Sequence, residues 1–354
     1  MLSLRRGRVS AIVERHEGLV RLEVDGAACV AYPDLTGPVA LDDDVVVNVQ
    51  ARDLELGSGG FDVLYANLTR GLELPVEEGA HVMKLPYTPL QAAAPHGEEA
   101  GELAEALGGM PVVCCSLHSQ LAPACAGLGE GLRIAHVQLG GGALPLAFSD
   151  AVRALKERRL VATTVSVGPC FGGDIECVNV ASALAWAASA GFDAAVCAIG
   201  PGIVGTGSFL GHGGLAAAEA ANAAAALGGS PVLAPRISAA DERERHRGLS
   251  HHTRAVLALC LGEVTVAWPA GFSPPPPQSR AEIDVQGWEE ACAGLPLSHM
   301  GRGVAEDPWF FAAAFAAGRV ARMLARWGRS DGWARSWGSE RGTRSAETPS
   351  SPEA

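Results

Sequence analysis

The sequence predicts an α/β protein: a small N-terminal β-barrel-like domain followed by a doubly wound, mainly parallel α/β sheet domain. Three observations carry that reading. Residues 1–90 hold short Val-rich runs broken by turn-forming residues. From about residue 91 short apolar runs alternate with helix-length segments at the spacing of successive βαβ units. Those runs are almost continuously apolar, as strands covered on both faces must be.

In the first region, strands are expected at 8–13, 18–24, 27–32, 45–51 and 61–67. Asp25-Gly26 between two apolar runs is a hairpin signal, because both residues tolerate positive φ. Five short strands suit an SH3-like or OB-like barrel, and Gly57-Ser58-Gly59-Gly60 reads as a tight hairpin. A hinge-like stretch follows from Leu85 to Gly97. In the second region, residues 91–327, strands are expected at 111–117, 133–139, 161–167, 194–200, 231–237 and 263–268. Helices are expected at 98–108, 119–128, 147–159, 175–190, 213–227 and 240–261. Pro274–Pro277 is a stiff connector. Asp307-Pro308 opens a helix over 307–327, with Asp as N-cap and Pro at N1. Residues 328–354, rich in Ser, Arg, Gly and Glu, read as a disordered tail.

Composition narrows the partners. The net charge of −12 disfavours broad electrostatic binding to nucleic acid, with Phe61 and Tyr65 the nearby stacking candidates in the barrel. The nine cysteines include no Cys-x-x-Cys pair, which fits a reducing, cytoplasmic setting. The N-terminus lacks the apolar core of a signal peptide, and no run reaches membrane-spanning length. The Ala-rich helices suit a homo-oligomer interface as well as a core.

In open α/β sheets ligands bind beyond the carboxyl ends of the strands. Three strand ends here are unusually rich in glycine and polar residues. After 194–200 comes a glycine-dense loop, Gly200–Gly214, expected to open a helix. Backbone amides of Gly202, Gly205, Thr206, Gly207, Ser208 and Gly211 are candidates for an anion nest, with His212 at the helix start as a donor or cap. The loop has no Walker lysine and no regular Gly-x-Gly-x-x-Gly. After 161–167 come Cys170, Asp174 and Glu176. Cys170 is a candidate nucleophile if a helix N-terminus lowers its pKa; Asp174 and Glu176 are candidate general bases or metal ligands, with Asp174 fitting equally as an N-cap. After 231–237 comes RHRGLSHHT (245–253). His246 and His251 are poorly spaced for one metal on a continuous helix, and the pattern matches no standard zinc motif. If Gly248 breaks the helix and Ser250 caps a second one, His251 or His252 turns back towards the strand ends. Ser116–Ser119 and Gln138 also fall at predicted strand ends, and Ser298–Gly303, with His299 and Arg302, is placed to fold over the sheet.

The runs LELGSGGFDVL (54–64), GPCFGGDIECVN (168–179), IGPGIVGTGSFLGHGG (199–214), RHRGLSHHT (245–253) and HMGRGVAEDPWFF (299–311) together resemble the bacterial family called domain of unknown function 3866. The resemblance covers about residues 5–320. It implies one full-length architecture and transfers no catalytic residue. From the residues themselves the expectation is an enzyme acting on a small anionic or phosphorylated metabolite. Asp174, Glu176, His212, His251 and His252 are its candidate acid–base groups. The alternative is a non-catalytic sensor or interaction module using the same cleft. No cofactor is assigned from the sequence.

Overall fold

The computed structural model describes residues 2–55, 60–70, 78–273 and 280–330. The expected turn at Gly57-Ser58-Gly59, the Pro274–Pro277 connector and the chain beyond Ser330 lie outside them.

The N-terminal region is a closed five-stranded barrel of β1 (Leu4–His16), β2 (Leu19–Val24), β3 (Ala27–Ala31), β4 (Asp44–Asn48) and β5 (Asp62–Asn67), in the order β1-β2-β3-β5-β4. Strand β1 is long enough to serve two partners, antiparallel to β4 through its first half and to β2 through its second. Asp25 and Gly26 both take positive φ and turn β2 into β3. Alternation puts Val9, Leu22, Val24, Val45, Val47 and Leu64 inside. The parallel β3–β5 pair and the strand order favour the OB-like alternative over the SH3-like one. Two single-turn helices, α1 (Pro33–Thr36) and α2 (Gln50–Asp53), flank β4, and the second replaces the end of the strand expected over 45–51.

A short hairpin, β6 (Val82–Lys84) and β7 (Ala92–Ala94), fills the hinge-like stretch. An eight-stranded parallel sheet follows. Its strands are β8 (Pro111–Cys115), β9 (Ile134–Leu139), β10 (Thr163–Val167), β11 (Ile175–Cys177), β12 (Ala194–Ile199), β13 (Ser230–Ala234), β16 (Thr265–Pro269) and β17 (Arg280–Ile283); a separate small ribbon of β14 (Ile237–Ser238) and β15 (Gly248–Leu249) comes between β13 and β16 in the chain. The sheet order is β11-β10-β9-β12-β8-β13-β16-β17. Helices α3 (Leu121–Leu128), α4 (Asp150–Glu157), α8 (Trp288–Ala291) and α9 (Pro308–Ser330) pack with one face. Helices α5 (Val180–Ser189), α6 (Ala216–Ala226) and α7 (His251–Leu259) pack with the other. Successive residues of the buried strands divide between these two cores: Val113 and Cys115 face the first, Val112 and Cys114 the second. No helix among the described residues is long and apolar enough to cross a membrane.

Three helix expectations need correction. Of 98–108 only the turn Gly97–Glu99 is helical, and Gly108 and Gly109 both take positive φ, which a helix cannot accommodate. The helix expected over 175–190 begins only at Val180, capped by Asn179 and Ser182. The first three residues instead add edge strand β11 beside β10. The helix expected over 240–261 is broken: Gly248 takes positive φ, β14–β15 pair, and α7 starts anew at Ser250.

The small residues of α3 and α9 let these helices touch backbone to backbone. A Cβ on Gly318 would meet the Ala124 carbonyl oxygen at 2.0 Å, and one on Gly127 the Phe315 carbonyl oxygen at 2.2 Å. Gly318→Ala therefore is expected to destabilise by about 2 kcal/mol, although alanine gains about 1 kcal/mol of helix propensity. Urea titration measures the sign, and a stabilised variant would refute the close crossing.

Connections decide where a site forms. From β8 the chain crosses through α3 to β9 on one side of it; from β12 it crosses through α6 to β13 on the other. Strands β8 and β12 are neighbours. Their outgoing loops therefore leave towards opposite faces and open a crevice at the carboxyl ends, a topological switch point.

Candidate functional site

Arg236 follows β13 at this edge. Its backbone is tied to the first turn of α7: Arg236 N donates to Thr253 Oγ1, and Ser250 N donates to the Arg236 carbonyl. The Ser250 hydroxyl accepts from His252 N and caps α7. The cap and the β14–β15 ribbon hold His251 and His252 beside the Arg236 guanidinium. His212 comes from the other side. The loop after β12 forms a hairpin in which Gly205 pairs with His212, Thr206 N donates to Gly211 O, and Gly213 N donates to Val204 O. Its root is locked against the loop after β9, where a Cβ on Gly213 would meet Gly141 O at 2.0 Å.

The result is a contiguous cluster of four imidazoles, with His251 and His252 each touching the other three. The His212 and His252 rings are stacked, with centroids 3.8 Å apart. His251 lies 4.5 Å from His252 and 5.8 Å from His212, and His246 lies 4.7 Å from His251. His246 Nδ1 is 2.7 Å from the Ser250 hydroxyl. A fifth ring, His299, stacks on Phe310 and hydrogen-bonds Ser119, which follows β8.

Behind the rings lies a guanidinium–carboxylate network. Asp241 accepts from Arg236, Arg302 and, through both oxygens, Arg243. Asp307 accepts from Ser238 at 2.6 Å and lies 3.4 Å from Arg302 Nε. Asp307 does precede α9, but its carboxylate joins this network. Three arginines face two carboxylates, leaving one formal positive charge. Burial works against ionisation of Asp241, but Arg243 and Arg236 outweigh it and hold the carboxyl far below its usual range. Burial, reinforced by Arg236, pushes the imidazoles down: His246 to about 3, His299 to about 3, and His252 to about 2 with help from His212. Burial also lowers His212 and His251. The cluster is neutral imidazole around a fixed cationic centre.

Several buried nitrogens here have no close hydrogen-bond partner: both of His212, which has only the Phe209 carbonyl nearby, Nε2 of His251, Nε2 of His299 and Nε of Arg236. Each such atom costs about 1–3 kcal/mol unless a partner arrives. One tautomer follows from donor chemistry. A guanidinium only donates, and Arg236 Nη1 lies 3.2 Å from His252 Nδ1. Nδ1 therefore accepts, and Nε2 carries the proton. Nitrogens of His212, His251 and His252 lie within 4.8 Å of one another, as a three-histidine metal centre would need. Two features oppose a cation. His252 Nε2 is protonated in this hydrogen-bonding pattern, whereas metal-bound histidines direct their second N–H to an acceptor. The surrounding formal charge is positive. The donor set suits an anion.

His212 also lines a crevice of about 470 Å³ at the ends of β9, β10 and β12, walled by Gly140, Pro169, Asn179 and Glu219. The Gly202, Gly205, Thr206, Gly207, Ser208 and Gly211 loop stands at the surface near it. It is a hairpin that ends before α6 starts at Ala216, not the first turn of that helix. The Thr206 and Ser208 amides are satisfied inside it, by Gly211 O and Thr206 Oγ1.

Asp174 and Glu176 belong elsewhere. They lie at edge strand β11, five strand positions from β13 and so roughly 24 Å away across the sheet. Asp174 is no helix cap, since Asn179 caps α5; it accepts from Lys156 and Thr164. Burial opposes ionisation of Asp174, but these partners hold it below the usual range. Glu176 is buried against Lys84 at 2.8 Å and accepts from the Gly172 and Gly173 amides. Burial raises its carboxyl, with Lys84 opposing. Lys84 also donates to the carbonyls of Gly168 and Cys177, so the pair clamps the β6–β7 hairpin to the sheet edge. Removing one partner strands a buried charge: Lys84→Met is expected to cost about 3 kcal/mol, and Lys84→Met with Glu176→Gln clearly less. Equal losses in single and double variants, by denaturant titration, would refute the clamp. Cys170 corrects the nucleophile reading. No helix starts there, the thiol is buried, and burial pushes it up to about 11.

Arg236 and Asp241 are not among the candidates that the sequence patterns bring out. A charged residue inside the apolar run PVLAPRIS was the available signal for Arg236; nothing local marked Asp241 as the hub of three arginines.

Fold and site together define a class: an OB-like barrel joined to a doubly wound parallel sheet, with an arginine–histidine cluster at the switch point. The chain belongs to the family described as Protein of unknown function (DUF3866), whose family model matches residues 28–318. No curated protein matches the chain.

Proposed function

We propose that the protein is an enzyme acting on a small anionic, phosphorylated metabolite bound where β8, β12 and β13 end. The observation that carries this reading is the buried Arg236 surrounded by neutral imidazoles with unpartnered nitrogens. Arg236 and the His252 Nε2–H supply charge and a donor for the anion; Arg302 and His299 flank them from the segment folded over the sheet. His212 and His251, neutral with free nitrogens, supply proton acceptors. The Gly202–Gly211 hairpin stands at the rim. Asp174 and Glu176 take no part.

The test is a thermal-shift screen of small phosphate monoesters, each paired with its dephosphorylated analogue, followed by a phosphate-release or group-transfer assay on every hit. Phosphorylated members are expected to raise Tm in proportion to the logarithm of their concentration. Turnover is expected to disappear in His212→Asn. Equal shifts with the neutral analogues would sink the anion reading. Binding without turnover would make the protein a sensor using the same cleft.

A further inference from the structure

We propose that the site takes a doubly charged tetrahedral oxyanion rather than a monocarboxylate, and that His212 takes up one proton as that oxyanion binds. The inference rests on the anion reading and deepens it. Unpartnered nitrogens come from three parts of the chain: His212 on the loop after β12, His251 on α7 and Arg236 after β13. A planar carboxylate satisfies donors lying near one plane; a tetrahedral group accepts from several directions. The His252 Nε2–H adds a donor whose tautomer Arg236 fixes.

His212 is the fitting proton acceptor on geometry. Its ring nitrogens are buried with only the Phe209 carbonyl nearby, which leaves one nitrogen free to take a proton; its ring stacks on His252, and it reaches the crevice. His252 already carries its proton on Nε2 and meets a guanidinium on the other nitrogen. The groups facing His212 are Arg236, His251 and His252, with Glu219 across the crevice. Burial keeps His212 neutral in the unliganded site; the Phe209 carbonyl opposes it and Arg236 adds to it. A dianion beside the ring reverses the field that Arg236 imposes, so a proton follows the ligand in. By linkage, uptake of one proton strengthens binding about tenfold for each unit the pH falls.

Sulfate is the decisive probe, because it stays doubly charged across the neutral range and any proton taken up must reside on the protein. Calorimetric titration of the full chain with sulfate at pH 7, in two buffers of different ionisation enthalpy, reads the proton count. Acetate and inorganic phosphate at pH 8 are run in parallel. The expected result is binding of sulfate and phosphate but not acetate, with close to one proton taken up per sulfate. His212→Asn is expected to abolish the uptake, and His251→Asn to retain it. Sulfate binding with no buffer dependence, or uptake lost in His251→Asn and kept in His212→Asn, overturns this inference and leaves the anion reading standing. Acetate binding as tightly as sulfate overturns the dianion. Failure of all three anions to bind overturns both.

Discussion

Arg236→Met is expected to lower stability by about 3 kcal/mol, a Tm loss of roughly 6–10 °C, and to abolish anion binding. The side chain is 3 % exposed, so the substitution changes a fixed interior charge. It removes a donor to Asp241 and strips His252 Nδ1 of its partner. Met fills much of the same volume, and Asp241 keeps Arg243 and Arg302, which places the loss at the low end for a broken buried pair. Packing loss alone predicts a second observable wrongly. Arg236 depresses His212, His246, His251, His252 and His299, so its removal should raise all five together. Histidine proton resonances followed against pH read this directly. Unchanged titrations in a folded Arg236→Met variant would show that burial alone keeps the rings neutral, and the cationic centre would lose its role.

The parts legible in the sequence were those that rest on local chemistry. Val-rich runs separated by Asp-Gly and Asp-rich turns gave the barrel, and long apolar runs gave strands buried on both faces. The Ser250 cap after Gly248 was readable because a hydroxyl before a helix and a glycine able to take positive φ are local requirements. Position at a strand end was readable too, and it brought His212, His251 and His252 forward. Sheet order was not readable. Asp174 and Glu176 follow a strand just as His212 does, yet β10 and β11 lie at one edge of the sheet and β12 and β13 near its centre. Whether two strand ends share a site depends on the crossovers. Nor does the run GPCFGGDIEC show that three of its residues pair as a strand, since Ile175 and Cys177 suit the second core as well as they suit a helix. The glycine loop misled for a related reason: its two ends, Gly200 and Gly213, serve close backbone packing against residues 141–143, a requirement set by a partner segment about sixty to seventy residues away.

Acidification should unfold the protein over a window set by its buried histidines. His136 is fully buried in β9, donates Nδ1–H to the Val196 carbonyl, and has no partner for Nε2. Burial pushes it down to about 4, and burial likewise pushes His118 down to about 4. His246, His252 and His299 lie lower still, and burial also lowers His212 and His251. The unfolded chain binds protons at these rings near pH 6.5, while the folded chain refuses them until its depressed pKa is reached. Folded stability is therefore complete above about pH 6.5 and is lost as the pH falls through the interval down to about 4. His136 alone removes about 3 kcal/mol across that interval, and each further neutral ring adds about 1.4 kcal/mol per pH unit while the window lasts. Asp241 acts in the same direction at lower pH, since its depressed carboxyl favours the folded state only while ionised. Urea titrations at half-unit steps should show a plateau from pH 7 to 8 and a steep fall below 6, with a slope worth several protons. His136→Gln, which cannot take up the proton, should flatten that slope by about one proton whatever it does to the plateau. A slope of less than one proton between pH 6 and 4.5 would mean that the imidazoles titrate normally in the folded chain, and the neutral cluster on which anion binding rests would have to be abandoned.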